Sequence, residues 1–377
     1  MSRHYFYVPV LVMALALGAA AGVPAQQPSG GLFGVERATE GSGACSTHAW
    51  LLRRACFADR TDDYLVHLAD CFYVTSPDDE GECRIDARSE AVEKGRECRD
   101  VYDARLDICE LVGEERFDAD LDPDDFVDPD DIGGTVDPNP YWPLTAGSTH
   151  VIVGEGEVTV VAATDEVREV GGLPCRVVRD LVFEEVDELG DVEYEAVEVT
   201  QDWYAQHDDG DVVYCGENTY EIEDELIDNT DGSFAHGFER ARAGFLIRAL
   251  PAPGEGDRQE MATDEAEDFV EYVSLQATPS EDEGGDSENF PCAGDCLQTF
   301  EVNPQDPGEA EYKYYLPGTG FVLATKLEDG EPTGEREEVT CVGDSLDVLD
   351  DPDCDIGDPD ALREALCFWS PEAFCEE

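Results

Sequence analysis

The sequence predicts an α+β protein, in which a disulfide-stapled antiparallel helical hairpin precedes a mainly antiparallel β-sheet domain, a half-barrel or a sandwich. Three observations predict it. Six cysteines between Cys45 and Cys109 are spaced as a palindrome. Strand-like runs without intervening helices fill residues 139–340. Asp209-Gly210 lies between two runs rich in aromatic and β-branched residues, a strong hairpin signal.

Residues 1–25 read as a signal peptide. Ser2-Arg3-His4 is a weakly basic start, and the apolar run from Val8 to Ala21 is short for a bilayer span. Val23-Pro24-Ala25 places small residues for cleavage after Ala25. Residues 26–43, rich in Gly, Ser and Pro, read as a flexible lead-in. No later run approaches membrane length, so the expected mature chain is exported, periplasmic or extracellular, without a transmembrane segment. All 14 Cys lie beyond the cleavage point, and Cys-x-x-Cys is absent. In an exported chain that favours disulfides over zinc or redox chemistry.

The 91 Asp and Glu against 23 Lys and Arg give a net charge of −68. Nucleic acid and anionic membranes are excluded as partners by that sign. A hydrophobic content of 41%, with 14 Tyr and 16 Phe, argues for a packed core and against acidic disorder. Only Lys94, Lys313 and Lys326 are lysines. Excess carboxylate with scarce Lys suits a saline habitat, where the Debye length falls to about 3 Å near 1 M salt.

Residues 44–113 are helical by composition. Ser76-Pro77 followed by Asp78, Asp79 and Glu80 starts a helix, with a cap, a first-turn Pro and acids at the positive dipole end. Gly113 is a C-terminal stop. The cysteines at 45, 56, 71, 83, 98 and 109 have gaps of 11, 15, 12, 15 and 11. Antiparallel helices bring together residues of constant summed number, and 45 with 109, 56 with 98 and 71 with 83 all sum to 154. Gaps of 11 and 15 are close to whole helical turns. The expected pairs are Cys45–Cys109, Cys56–Cys98 and Cys71–Cys83.

Residues 114–138 read as a solvated acidic linker. Asp118, Asp120, Asp122 and Asp124 alternate as in a calcium loop, without its Gly and its twelfth-position Glu. Asp351, Asp353 and Asp355 in the C-terminal tail repeat this pattern, with Ile356 and Leu362 at the Gly and Glu positions. These seven are weak calcium candidates. No other cofactor is indicated.

Strands are expected at 149–153, 157–170, 175–186, 192–207, 212–216, 219–223, 245–250, 269–276, 297–302, 310–316, 320–327 and 337–340. A two-residue turn at Asp209-Gly210 would pair Tyr204 with Cys215, Ala205 with Tyr214 and His207 with Val212. Residues 281–288 read as a loop insertion. The tail, 341–377, carries a short helix capped by Asp358-Pro359 and four cysteines, 341, 354, 367 and 375. Their pairing is open among three connectivities, unless one reaches Cys175 or Cys215. Cys292 and Cys296 can close a small loop.

Several motifs recur in order: Asn139-Pro-Tyr-Trp-Pro-Leu144, Cys175-Arg-Val-Val-Arg-Asp180, Asp202-Trp-Tyr-Ala-Gln206, Gly232-Ser-Phe, Arg258-Gln-Glu260 and Tyr312-Lys-Tyr-Tyr-Leu-Pro-Gly-Thr-Gly-Phe321. In these the chain resembles an uncharacterised family of exported bacterial β-rich proteins with YWPL, DWYAQ and KYYxPGxG motifs. The resemblance spans about residues 139–339 and implies export and a β-rich fold, with no activity. Cys215, where an aromatic residue is usual, and Cys292-Ala-Gly-Asp-Cys296, where a Gly/Ser turn is usual, depart from it.

No catalytic signature is present: no Gly-x-Ser-x-Gly, His-Glu-x-x-His, P-loop or dinucleotide fingerprint. No two histidines have metal-ligand spacing. Carboxylates are too numerous for any sequence pair to be singled out. Trp203, Tyr204, Tyr214 and Tyr220 suit either sheet packing or a carbohydrate platform. The expected function is therefore an exported non-enzymatic module that binds a ligand or a surface partner. The alternatives are a secreted hydrolase using Asp/Glu in a β cleft and a calcium-dependent surface or adhesion protein.

Overall fold

The computed structural model describes residues 43–375 apart from 155, 189–190, 224, 281–290, 329 and 353. The expected signal peptide, nearly all of the expected lead-in, the insertion at 281–288 and Asp353 lie outside the described residues.

Two helices open the fold, α1 (Ala44–Cys71) and α2 (Pro77–Val112). Ser76 caps α2 by accepting from the Asp79 N–H, and Pro77 supplies the preset first-turn dihedral. Disulfides join Cys45 to Cys109, Cys56 to Cys98 and Cys71 to Cys83, with Cα separations of 5.7, 5.8 and 5.7 Å. The near-constant separation means the two helices run side by side along the whole hairpin. Their seam is thin. Ala87, Ala91 and Gly95 place small buried residues along it at i, i+4 spacing. Much of the rest is cationic: Arg53 sits 5.7 Å from the Phe57 ring and 4.7 Å from the Tyr102 ring. With so little apolar burial, the disulfides supply much of the hairpin's stability.

Fifteen strands form one antiparallel sheet among the described residues. They are β1 (Thr149–Gly154), β2 (Glu157–Val170), β3 (Leu173–Glu188), β4 (Asp191–Gln206), β5 (Val212–Glu223), β6 (Leu226–Asn229), β7 (Phe234–Ala235) and β8 (Arg242–Ile247). There follow β9 (Gly256–Arg258), β10 (Glu260–Met261), β11 (Phe269–Ala277), β12 (Cys296–Val302), β13 (Glu311–Leu316), β14 (Gly320–Glu328) and β15 (Glu331–Gly343). β1 pairs with β15, and a meander runs outward from each. One arm ends in β8 and β10, the other in β11 and β9. β9 and β10 are separated only by Gln259, so one segment pairs with the tips of both arms. The result is a strongly curved sheet that is not a closed barrel.

The central hairpin corrects the register expected from the sequence. Tyr204 pairs with Tyr214, Ala205 with Val213 and Gln206 with Val212. The turn holds three residues, because the Gly210 N–H donates to the His207 carbonyl and Gly210 takes φ +94°. A three-residue loop ending in a left-handed Gly is a common hairpin connection, next after the two-residue turns. A bulge then sets Gly216, at φ +144°, opposite Trp203. β5 therefore continues to Glu223 as one strand where two were expected.

The acidic segment after α2 is packed against the sheet, where a solvated linker was expected. Asp122 and Asp128 cap short 3-10 turns, and the Val127 N–H donates to the Gln206 carbonyl at 3.0 Å. The buried Arg176 guanidinium donates to the Pro129 carbonyl, and Asn139 bonds Gln206 and Gly210. Sparse apolar residues, Phe126, Val127 and Ile132, anchor it in the core.

The C-terminal tail covers the outer face of β1–β4. Val348, Leu349, Leu362 and Leu366, the last two on α3 (Pro359–Trp369), pack on Val151, Val160, Leu181 and Phe183. A short α4 (Pro371–Phe374) follows. Cysteine pairs Cys341–Cys354, Cys367–Cys375, Cys175–Cys215 and Cys292–Cys296 complete seven disulfides, and no cysteine is free.

Candidate functional site: an acidic cavity inside the curved sheet

Strand alternation builds the site. On β4, Glu198, Thr200, Asp202 and Tyr204 point to one face, while Val199, Trp203 and Ala205 pack on the other. The apolar set faces outward because the tail and the acidic segment cover that side. The polar set is left to line the concave interior. That interior encloses a cavity of about 450 Å³. Leu144, Val161, Ala163, Val178, Leu246 and Phe321 give it an apolar part. Its other part is rich in carboxyl groups.

β3 to β5 contribute Asp180, Glu198, Asp202 and Glu217. Glu157, Glu301, Glu311 and Glu337 come from β2, β12, β13 and β15. Asp268, just before β11, adds a ninth carboxylate. Lys313, on β13, is the only lysine or arginine among the lining residues. Its ammonium stands 3.2 Å from Glu301 and 3.6 Å from Glu311. Burial alone would lower its pKa, but the two carboxylates outweigh that and hold it well above its ordinary value.

Neighbouring hydroxyls donate to several of these carboxylates. Tyr214 donates to Asp202 at 2.5 Å, Thr219 to Glu217 at 2.6 Å and Thr200 to Glu198 at 2.8 Å. Tyr315 and Thr299 both donate to Glu301 at 2.8 Å. The Tyr204 and Tyr214 rings stack at 4.7 Å, and Trp142 meets Tyr204 edge-on at 5.5 Å.

Crowding of like charge in a desolvated space drives the titration. Burial, then Glu198, Glu337 and Glu217, push Asp180 up to about 8. Burial and the Glu198 charge raise Glu217 to about 7, against the pull of the Thr219 hydroxyl. Burial pushes Asp268 to about 6. Asp202 is raised well above the carboxylate range by burial and by Glu217 and Asp180. Glu260, only 2% exposed, is raised for the same reasons, with Asp268, Glu217 and Asp202 as its acidic neighbours. Among the described residues, two buried oxygens have no hydrogen-bond partner: Asp268 Oδ1 on the wall and Glu260 Oε2 outside the lining.

The calcium candidates lie elsewhere. Asp118, Asp120, Asp122 and Asp124 are exposed; Asp118 approaches Arg242 at 3.9 Å and Asp122 is an N-cap. Asp351 ends a 3-10 turn, and Asp355 is exposed. Among the described residues, only His67, Cys71 and Cys83 form a trio of ligand-type atoms within 4.8 Å, and the two cysteines are joined as a disulfide.

The aromatic group divides. Tyr204 and Tyr214 line the cavity, whereas Trp203 is buried on the outer face with the Arg168 guanidinium 3.9 Å from its ring centroid. Sequence reasoning passed over the cavity carboxylates because nothing distinguished them among 91 acids. A usable signal was present in β4, where the polar set Glu198, Thr200 and Asp202 alternates with Val199 and Trp203.

No family model and no curated protein matches this chain. A solved structure from Bacteroides fragilis, described as an exported protein with a YmcC-like fold, aligns over 54% of this chain and 97% of its own length. Identity is 12% and the TM-score 0.26, too low to carry any argument here. No described helix is long and apolar enough to cross a membrane.

Proposed function

We propose that this chain is an exported, non-enzymatic binding protein of saline surroundings, and that its ligand occupies the acidic interior of the curved sheet. One observation carries the reading: nine carboxyl groups, with several hydroxyls, share the concave interior with its apolar side chains, where packing alone would place apolar side chains throughout. Burying so many ionisable groups costs stability. Such a cost is characteristic of a site, and the cavity's size is that of small-molecule pockets. Seven disulfides support an oxidising compartment outside the cytosol. The net charge of −68 supports the saline setting.

A thermal-shift screen of the oxidised chain tests this reading. A ligand should raise the unfolding midpoint in proportion to the logarithm of its concentration. Paired Asp202→Asn and Glu217→Gln substitutions should abolish that rise. A rise that persists in the pair would place the ligand outside the cavity and sink the reading.

A second reading, a secreted hydrolase with Asp/Glu acid–base chemistry, draws on Asp180 and Glu217, whose values of about 8 and about 7 suit proton transfer near neutrality. Turnover of glycan or ester panels, lost in Glu217→Gln, would favour it over simple binding.

A further inference from the structure

We propose that the cavity's ligand is an extended organic polycation, an alkyl polyamine whose ammonium groups are spaced along a flexible chain. This rests on reading the interior as a binding site. The first argument is sign. Nine carboxyl groups face one lysine across the lining, and Glu301 and Glu311 already hold that lysine, so an anion finds no free cation there while an entering cation finds carboxyl groups on every side.

The second argument is the pair of orphaned acceptors. Asp268 Oδ1, on the cavity wall, and Glu260 Oε2, outside the lining but beside wall acids, are buried without a hydrogen-bond partner among the described residues. Glu260 is 2% exposed, and its acidic neighbours Asp268, Glu217 and Asp202 all belong to the cavity wall. Buried acceptors of this kind are rare in folded proteins. An ammonium brings N–H donors and positive charge together.

Lys313 supplies the third argument. Its ammonium is already accommodated in this interior between Glu301 and Glu311. The cavity therefore has a working example of the cation it would hold.

Shape decides between cations. Among the described residues, no three carboxylate oxygens from different cavity residues lie within 4.8 Å of one another. A compact calcium ion needs six to eight oxygens at about 2.3–2.6 Å. Carboxylates spread over the walls match charges that are themselves spread along a chain. The Tyr204–Tyr214 stack, Trp142 and Phe321 offer apolar and π surface for methylenes and ammonium groups.

Binding should expel protons. Asp202 faces Glu217, Asp180, Glu198 and the Tyr214 hydroxyl; Glu217 faces Glu198, Asp268, Thr219 and Tyr214. An entering cation favours the ionised form of each.

Spermidine is the probe, titrated calorimetrically into the oxidised full-length mature chain in about 1 M NaCl, where surface association is screened. Saturable binding of one spermidine per chain is expected, weakening at least about tenfold from about pH 8 to about pH 5.5 as the wall takes up protons. Asp202→Asn with Glu217→Gln should weaken it by a similar factor, about tenfold or more. Both are isosteric with the protonated acids, and a retained far-UV spectrum and midpoint would establish that they fold. Asp118→Asn with Asp360→Asn, both exposed, should change nothing. Unsaturable binding, or binding indifferent to the cavity pair, would overturn the proposal. If maltose or calcium ion saturates the cavity in a pair-sensitive way and spermidine does not, the polycation assignment falls while the binding reading stands.

Discussion

Arg105 on α2 and Glu267, just before β11, form a buried two-point ion pair. Nε lies 2.7 Å from Oε2, and a terminal guanidinium nitrogen lies 3.0 Å from Oε1. The residues are 5% and 1% exposed. Burial would raise the Glu267 pKa, but the guanidinium outweighs it and holds the carboxylate below its ordinary value. With the His48–Thr263 and Arg258–Cys45 contacts, this pair fastens the helical hairpin to the sheet.

Arg105→Ala should therefore destabilise the chain by about 3–5 kcal/mol, because it strands a buried carboxylate. The double variant Arg105→Met, Glu267→Leu should recover most of that loss. Denaturant unfolding of the three chains measures both. A single variant costing less than about 1 kcal/mol would show that the pair is solvated and weak.

Stability should fall as pH rises through the neutral range. Asp180, Glu217 and Asp268 titrate at about 8, about 7 and about 6 in the fold, against about 4 when unfolded. Below about 4 both states hold these protons; above it the unfolded chain releases them first and gains relative to the fold. Each group costs on the order of a few kcal/mol once pH passes its folded value. Melting at constant molar salt should show a midpoint falling from about pH 5 to about pH 8. Asp180→Asn should raise the midpoint at the alkaline end and leave the acid end nearly unchanged. Below about pH 4 the trend reverses as Glu267, with its lowered value, takes up a proton.

Molar salt should stabilise the fold. A net charge of −68 repels itself, and about 2–3 M NaCl screens that almost completely. Millimolar calcium at matched ionic strength should add nothing further, since no described trio of carboxylates converges on one point. A calcium-specific rise in the midpoint would contradict this and direct mutation to Asp118–Asp124 and Asp351–Asp355.

Removing one central staple should loosen the hairpin more than the sheet. Cys56→Ser with Cys98→Ser opens a link spanning 42 residues, worth about 2–4 kcal/mol. The thin seam of Ala87, Ala91 and Gly95 has little else to offset that loss. Far-UV helical signal should be lost at lower temperature than the near-UV signal of the β-domain aromatics. Coincident loss of both would show that hairpin and sheet unfold as one unit.

Gly216→Ala should damage the central hairpin. An added Cβ would lie 2.4 Å from the Phe234 carbonyl oxygen, at a φ of +144° that L residues rarely adopt. A loss of about 2 kcal/mol or more is expected from strain and displaced backbone, read from denaturant midpoints. An unchanged midpoint would mean that the bulge relaxes without cost.

The sequence by itself determined what depends on spacing along the chain. A constant residue sum and near-whole-turn gaps specify an antiparallel hairpin, because helical rise and period are the same everywhere. Alternation and turn residues specify antiparallel strands for the same reason. The tertiary structure alone decided which face of each strand is interior. Val199 and Trp203 would serve equally well inward or outward; they face out because the acidic segment and α3 cover that side, the latter more than 150 residues away in the chain. Once they face out, Glu198, Thr200 and Asp202 have only the concave side left. A bulge at Gly216 then set the register that stacks Tyr204 on Tyr214, and no local signal distinguishes that bulge from an ordinary strand glycine. The cavity's chemistry is the sum of these long-range choices, made where burial energy outweighs local preference.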